Sequence, residues 1–359
     1  MADAPPAARY SAATLREFTA AVLRGVDLPA ADAARVAELM IEADLSGQDG
    51  HGIFRLPQYV RRIRGGAVNV RPNIRVEQTA PATALVDGDN GMGHLVMSRA
   101  AKTAIALARQ AGVAWVGVRR SNHAGPAALY ATMPLAHDMI GIYAAVANAN
   151  HMAPWGGQDL LLGTNPLAIA VPAGDEPPLV LDMATTVVSY GTVKKYAQRG
   201  QPIPPGWVTN AAGEAITDAA RAGEGFLLPI GAYKGSGLAL MLGLLAGVLN
   251  GAAFGRDVVD FNADDHSTTN TGHLLIAVDV ARFVPLDVFK AAVDRHVRDL
   301  RASRRLPGVE AIYMPGEQRH ARIQAHLAHG IPLPAALVAD LDAVATSVGV
   351  APLSAAPAR

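Results

Sequence analysis

The sequence predicts a mixed α/β protein whose two ends are helical. Three observations lead there. Apolar residues recur at helical spacing through the first 65 positions and again beyond position 285. Between them, short β-branched runs at 76–86, 113–118, 140–147, 179–181 and 274–280 alternate with polar turns. Half of the 359 residues are hydrophobic, which suits a well-buried chain rather than a disordered one.

The elements follow in order. Leu15, Phe18 and Val22, then Val36, Leu39 and Met40, mark helices at 11–24 and 30–45, parted by Asp27-Leu28-Pro29. The glycine-rich turn at 87–93 opens a helix at 94–110. Residues 201–225, rich in Pro, Gly and Ala, read as a loop. Helices are expected at 286–302 and 334–348, and the tail after Pro352 reads as loose.

Composition removes several function classes. A chain this long exceeds the size at which one core keeps growing, so two or three domains are expected. Lys+Arg and Asp+Glu both number 31, leaving no bulk field to attract nucleic acid or an anionic membrane. There is no cysteine, which excludes disulfides, Cys-ligated metals and thiol nucleophiles. Residues 1–9 lack the apolar core of a signal peptide, and a cytoplasmic protein is the default expectation. The uncharged stretch 235–255 is long enough for a membrane span, but its glycines and Asn250 favour a helix buried on nearly all sides, at a subunit interface.

The most informative stretch is Asp44-Leu45-Ser46-Gly47-Gln48-Asp49-Gly50-His51-Gly52-Ile53-Phe54-Arg55-Leu56-Pro57-Gln58-Tyr59. Asp49 can cap a helix running from His51 to Gly65-Gly66, although Pro57 belongs in a first turn and argues for a later start. On such a helix His51, Arg55 and Tyr59 share one face. An imidazole, a planar cation and a phenol together suit a small anionic substrate: the guanidinium holds a carboxylate while the imidazole exchanges a proton. The spacing alone fits an ordinary cap and a solvent-facing arginine as well.

Other polar loops end strands: Ser121-Asn122-His123-Ala124-Gly125, Asn148-Ala149-Asn150, Gly163-Thr164-Asn165-Pro166 and Asp182-Met183-Ala184-Thr185. Residues from distant parts of the chain are expected to meet in a site between domains. No Gly-x-Gly-x-x-Gly dinucleotide fingerprint is complete, since Gly235-Ser236-Gly237 and Gly91-Met92-Gly93 each lack the third glycine. Lys234 is either a phosphate contact or an ordinary helix-start lysine, and His123 either a site residue or a hydrogen-bonded loop histidine. His320, His326 and His329 lack a metal-site framework and read as surface residues, with no metal expected.

Taken together, Gly50-His51-Gly52 with Arg55, Ser121-Asn122-His123 with Gly125, Ala153-Pro154 with Gly156-Gly157, Gly163-Thr164-Asn165-Pro166, Leu181-Asp182-Met183-Ala184-Thr185 and Lys234-Gly235 with Gly237-Leu238 resemble the non-Rossmann malate/L-lactate dehydrogenase family, in order over nearly the whole chain. The resemblance implies a largely antiparallel cofactor-binding sheet at 76–284 and a helical domain built from both ends, 1–75 plus 285–359. It implies a homodimer using NAD or NADP on a small carboxylate substrate. His51 falls at the family's acid/base position and Arg55 at its carboxylate binder; Tyr59, His123, Asn148 and Thr164 fall near substrate. Asn122, His123, Gly125, Asp182, Met183, Ala184, Tyr233, Lys234, Gly316 and Glu317 fall where the dinucleotide is held. Two departures stand out: Gly50 replaces a serine common in the family, and Thr192 stands where imine-reducing members carry an aspartate. Thr192 favours a 2-oxo acid over a cyclic ketimine, while Gly50 and Thr192 together leave a protein that has lost its chemistry as a further alternative. In the expected mechanism Arg55 clamps the carboxylate and His51, with a pKa near neutrality, donates a proton to the carbonyl.

Overall fold

The computed structural model describes residues 8–358. The first seven residues, part of the stretch read as having no signal peptide, lie outside them. The chain runs β1 (Ala8–Tyr10), α1 (Ala12–Arg24), α2 (Ala30–Leu45), α3 (Leu56–Arg64), β2 (Arg75–Ala80), β3 (Thr83–Gly91), α4 (Gly93–Ala111), β4 (Val113–Ser121), α5 (Ala128–Ala131) and β5 (Met139–Ala145). It continues through β6 (Leu167–Val171), β7 (Leu179–Met183), α6 (Tyr190–Gln198), β8 (Val208–Thr209), β9 (Phe226–Leu227), α7 (Tyr233–Ala246), β10 (His273–Asp279), α8 (Leu286–Arg301), α9 (Glu317–His329), β11 (Ile331–Leu333) and α10 (Ala335–Ser347).

Seven strands form one sheet in the order β2-β3-β4-β10-β5-β6-β7. Only β3 and β4 run parallel; every other neighbouring pair is antiparallel. The parallel pair needs a crossover, and α4 supplies it. Its Ala100, Ala101, Ala104 and Ala108 are fully buried, and their small side chains let the helix lie close to the β3, β4 and β10 strands. On a separate core, Leu242 and Ala246 of α7 pack with Ala144, Val146 and Leu274.

A second core joins the two ends of the chain. Leu15, Val22, Val36, Met40, Leu56 and Val60 pack with Leu341, Ala345 and Leu353. Strand β1 pairs antiparallel with β11, Ala8 opposite Leu333, which ties the ends by backbone bonds. The tail is therefore not loose: Leu353 is completely buried, and its burial outweighs the small, proline-flanked composition around it.

Four further expectations change. The 201–225 segment is not a plain loop. Its β8 pairs with β9, and Ile203, Val208, Ala222 and Leu227 form a small core with Val193 of α6. The stretch 235–255 does not form one long helix, because α7 ends at Gly247 and turns follow. Among the described residues no helix is long and apolar enough to cross a membrane. Nor is α7 buried on nearly all sides, since Leu240, Met241, Leu244, Val248 and Leu249 along it and just past its end are exposed. His320 and His329 are exposed as expected, but His326 is half-buried, its Nδ1 bonded to the Leu45 carbonyl at the end of α2.

Candidate active site

The His51 stretch is not one helix. Asp49–His51 and Ile53–Arg55 are two single 3₁₀ turns, and α3 starts only at Leu56, with Pro57 in its first turn. Gly52 causes the break. It takes φ −91°, ψ −139°, and a Cβ there would lie 2.0 Å from Asp44 Oδ1. The space is needed because the buried Asp44 carboxylate accepts the Ile53 N–H at 2.8 Å. Burial pushes the Asp44 carboxyl up to about 8. The turn is thus held from beneath by a side chain at the end of α2.

From this turn His51 and Arg55 both line a cavity of about 380 Å³, within the range of small-ligand sites. Arg55 is half-buried. Its Nε donates to the Gly50 carbonyl at 2.9 Å and Nη1 to Gln58 Oε1 at 2.8 Å. No protein acceptor meets Nη2 among the described residues, so one edge of the fork remains open for a ligand. Burial lowers the His51 imidazole to about 4, and the charges of Arg55 and Lys195 add to the effect. Without a bound carboxylate the imidazole thus lies below the near-neutral range: the sequence showed Arg55 nearby, but neither Lys195 nor the depth of burial. Nδ1 of His51 is buried without a partner, an orphan that a bound group or water can satisfy.

Behind His51 the rings form a stack. His123 lies parallel to His51, with centroids 5.4 Å apart and planes at 11°. Its other face meets Phe261 at 5.4 Å. Tyr59 does not line the cavity; its hydroxyl bonds His123 Nδ1 at 2.6 Å from behind. Burial raises the Tyr59 hydroxyl and lowers His123 well below the usual range, so a neutral phenol donates to a neutral imidazole. Arg62, fully buried and 4.5 Å from the Phe261 ring centre, fixes the far side by donating to the carbonyls of Phe261 and Asp264.

The remaining expected residues divide. Gly125, Asn148, Thr164, Asp182, Met183 and Ala184 line the same cavity. Asn148 donates to Thr271 Oγ1 at 2.6 Å. Both hydrogen bonds to Asp182, from Gln48 Nε2 and the Ala128 N–H, fall on Oδ2, so Oδ1 keeps no protein donor among the described residues. Burial raises the Asp182 carboxyl. Gly125, at φ +80°, lines the wall where a Cβ would approach His94 Nε2 to 3.3 Å.

Asn122 does not reach the cavity. Its amide is spent on the Asn90 and Gly91 carbonyls, and its Oδ1 accepts from Thr269. Tyr233 and Lys234 are exposed at the start of α7, away from the cavity wall. Gly316, at φ +95°, packs on Val180 of β7, and Glu317 pairs with Arg301. Several wall residues carry no motif in the sequence: Tyr143, Tyr190, Lys194, Lys195, Phe261 and His273. The signal for His273 is its register. It opens β10 opposite Ala145, at the end of the strand that leads to Asn148.

Comparison with known proteins agrees with this architecture. Residues 10–342 match the malate/L-lactate dehydrogenase family. Malate dehydrogenase of Pyrococcus horikoshii is 37% identical over 345 residues, covering 94% of each chain. Its solved structure superposes with a TM-score of 0.87 over 95% of this chain and 96% of the other, at 34% identity. Ureidoglycolate dehydrogenase (NAD(+)) of Escherichia coli K12 is 33% identical over 326 residues, 90% of this chain and 92% of the relative. A (2R)-3-sulfolactate dehydrogenase (NADP(+)) of Chromohalobacter salexigens is 33% identical over 339 residues, 93% and 98% of the two chains. The chain belongs to the malate/L-lactate dehydrogenase family. It is an oxidoreductase, an NAD(P)-dependent 2-hydroxy acid dehydrogenase.

Proposed function

We propose that the chain interconverts a small 2-hydroxy acid and its 2-oxo acid at the cavity shared by His51 and Arg55. One observation carries the reading: a guanidinium with an open edge and a half-buried, neutral imidazole whose Nδ1 has no partner among the described residues line one small cavity. Arg55 receives the carboxylate and orients the substrate, while His51 faces the hydroxyl or carbonyl. The residues present fit a nicotinamide. Gly125 removes side-chain bulk from the wall, and Asp182 Oδ1, with Met183 and Ala184 beside it, offers an acceptor. When bound, NAD or NADP exchanges the hydride with the carbon that bears the oxygen.

The protein's part is proton management. A neutral His51 is ready to take the hydroxyl proton in oxidation. In reduction it must first be charged. A substrate carboxylate on Arg55 offsets the positive field that lowers its pKa, so the anion itself helps to protonate the acid. Dehydrogenase assays on hydroxy and oxo acids, with NAD and with NADP, test the reading. Pyrroline-2-carboxylate belongs in the same panel, because turnover of the imine alone would replace it.

The family's homodimer is part of this reading. The exposed apolar stripe of Leu240, Met241, Leu244 and Val248 supports it, since a contiguous face of that kind commonly marks an interface. Size-exclusion chromatography with light scattering on wild type and Leu244→Glu gives the test: a monomeric wild type would remove the dimer.

A further inference from the structure

Arg55 is not the only unneutralised cation on the cavity wall. Lys195 is ion-paired with Asp49 on the His51 turn. Its neighbour Lys194 makes no ion pair among the described residues, nor does Arg55. Lys194 is nevertheless placed. Its ammonium lies 5.2 Å from the Tyr190 ring centre, and that ring stacks on His151 at 4.2 Å and 13°. The three side chains form a layered support in which a cation rests on an aromatic face. The acid whose field reaches it, Asp260, has its Oδ1 bonded to the backbone and side-chain nitrogens of Asn262. Burial and then the positive field of Arg55 lower the Lys194 ammonium, so the two cations feel each other across the cavity. Two like charges facing one small space oppose each other until an anion joins them.

We propose that Lys194 selects substrate by binding a second anionic group, a carboxylate or sulfonate, on a 2-hydroxy acid whose own carboxylate is held by Arg55. This rests on the assignment of Arg55 as carboxylate binder. A lactate-like acid fills only one of the two cationic positions; a malate-like acid fills both.

The test is kinetic and comparative. The ratio of kcat/KM for L-malate to kcat/KM for L-lactate is measured in wild type, Lys194→Met and Lys194→Glu. Loss of one charge-assisted contact should lower the ratio at least about tenfold in Lys194→Met and further in Lys194→Glu. A ratio that stays within about threefold in both variants, well under one such contact, overturns the assignment. So does a wild type that turns over lactate in preference to malate, and this outcome leaves the dehydrogenase reading intact. Turnover of no hydroxy acid with either cofactor overturns both.

Discussion

Two walls of the cavity differ in how they are held. The His51 turn rests on the core that joins the chain ends: Asp44 supports it from below, and Tyr59, His123 and Phe261 pack behind it. The opposite wall, α6, belongs to the small core of residues 193–227 and faces the cavity with lysines. Burial on the first wall strips charge from imidazoles. On the second, Lys195 is ion-paired with Asp49 and Lys194 rests on the face of Tyr190. Proton transfer needs a rigid, dry position, whereas recognition of an anion needs only a charge at the right place. The first wall is thus suited to chemistry and the second to selection.

The largest expected effect breaks the first wall at its centre. His51→Ala should lower kcat by roughly 10²–10⁴-fold with an unchanged thermal unfolding profile. A loss under about tenfold would show that the imidazole is not the acid/base group. Arg55→Lys keeps the charge but loses the fork, and should raise KM about tenfold with a smaller effect on kcat. An unchanged KM would take Arg55 off the carboxylate.

Stability against pH sharpens the contrast between buried and exposed walls. Burial lowers His51 to about 4, His94 to about 3 and His273 to about 4, all from 6.5. The unfolded chain therefore binds protons that the folded one refuses. Stability is full above pH 6.5 and falls as pH drops toward 4, by about 1.4 kcal/mol per pH unit for each proton taken up. Asp44 acts oppositely. Its folded pKa is raised from 3.8 to about 8, so its contribution is full below 3.8 and is lost as pH rises to 8. Asp44→Asn, which keeps an acceptor for Ile53, should remove that loss between pH 3.8 and 8 and leave the histidine one. Denaturant midpoints from pH 4 to 9 give the readout, and an unaltered slope between pH 6.5 and 8, where the histidines no longer contribute, would contradict it.

The smallest effect concerns Gly50. A Cβ there meets nothing within 4 Å, so Gly50→Ser should alter stability by less than about 0.5 kcal/mol. Its effect on kcat then reports whether a hydroxyl beside His51 matters, free of any change in folding.

By itself the sequence determined the helical ends, most of the sheet strands, and the presence of His51, Arg55, His123, Asn148, Thr164 and Asp182 in polar loops. Those signals are local: periodicity, glycine placement and short motifs. Strand β6 escaped notice because alanine, a weak strand former, fills two of its five positions, and the β8–β9 pair because Pro, Gly and Ala dominate around it. The motif match also gathered Tyr233, Lys234, Gly316 and Glu317 with the rest, although none of them lines the cavity. Only the tertiary structure decided that His51 sits on a 3₁₀ turn, that its imidazole is neutral, and that Lys194 and His273 share its cavity. Burial and charge proximity come from elements far apart in the chain. Asp44 reaches under Gly52, and β10 brings His273 beside β5, as long-range packing alone can arrange.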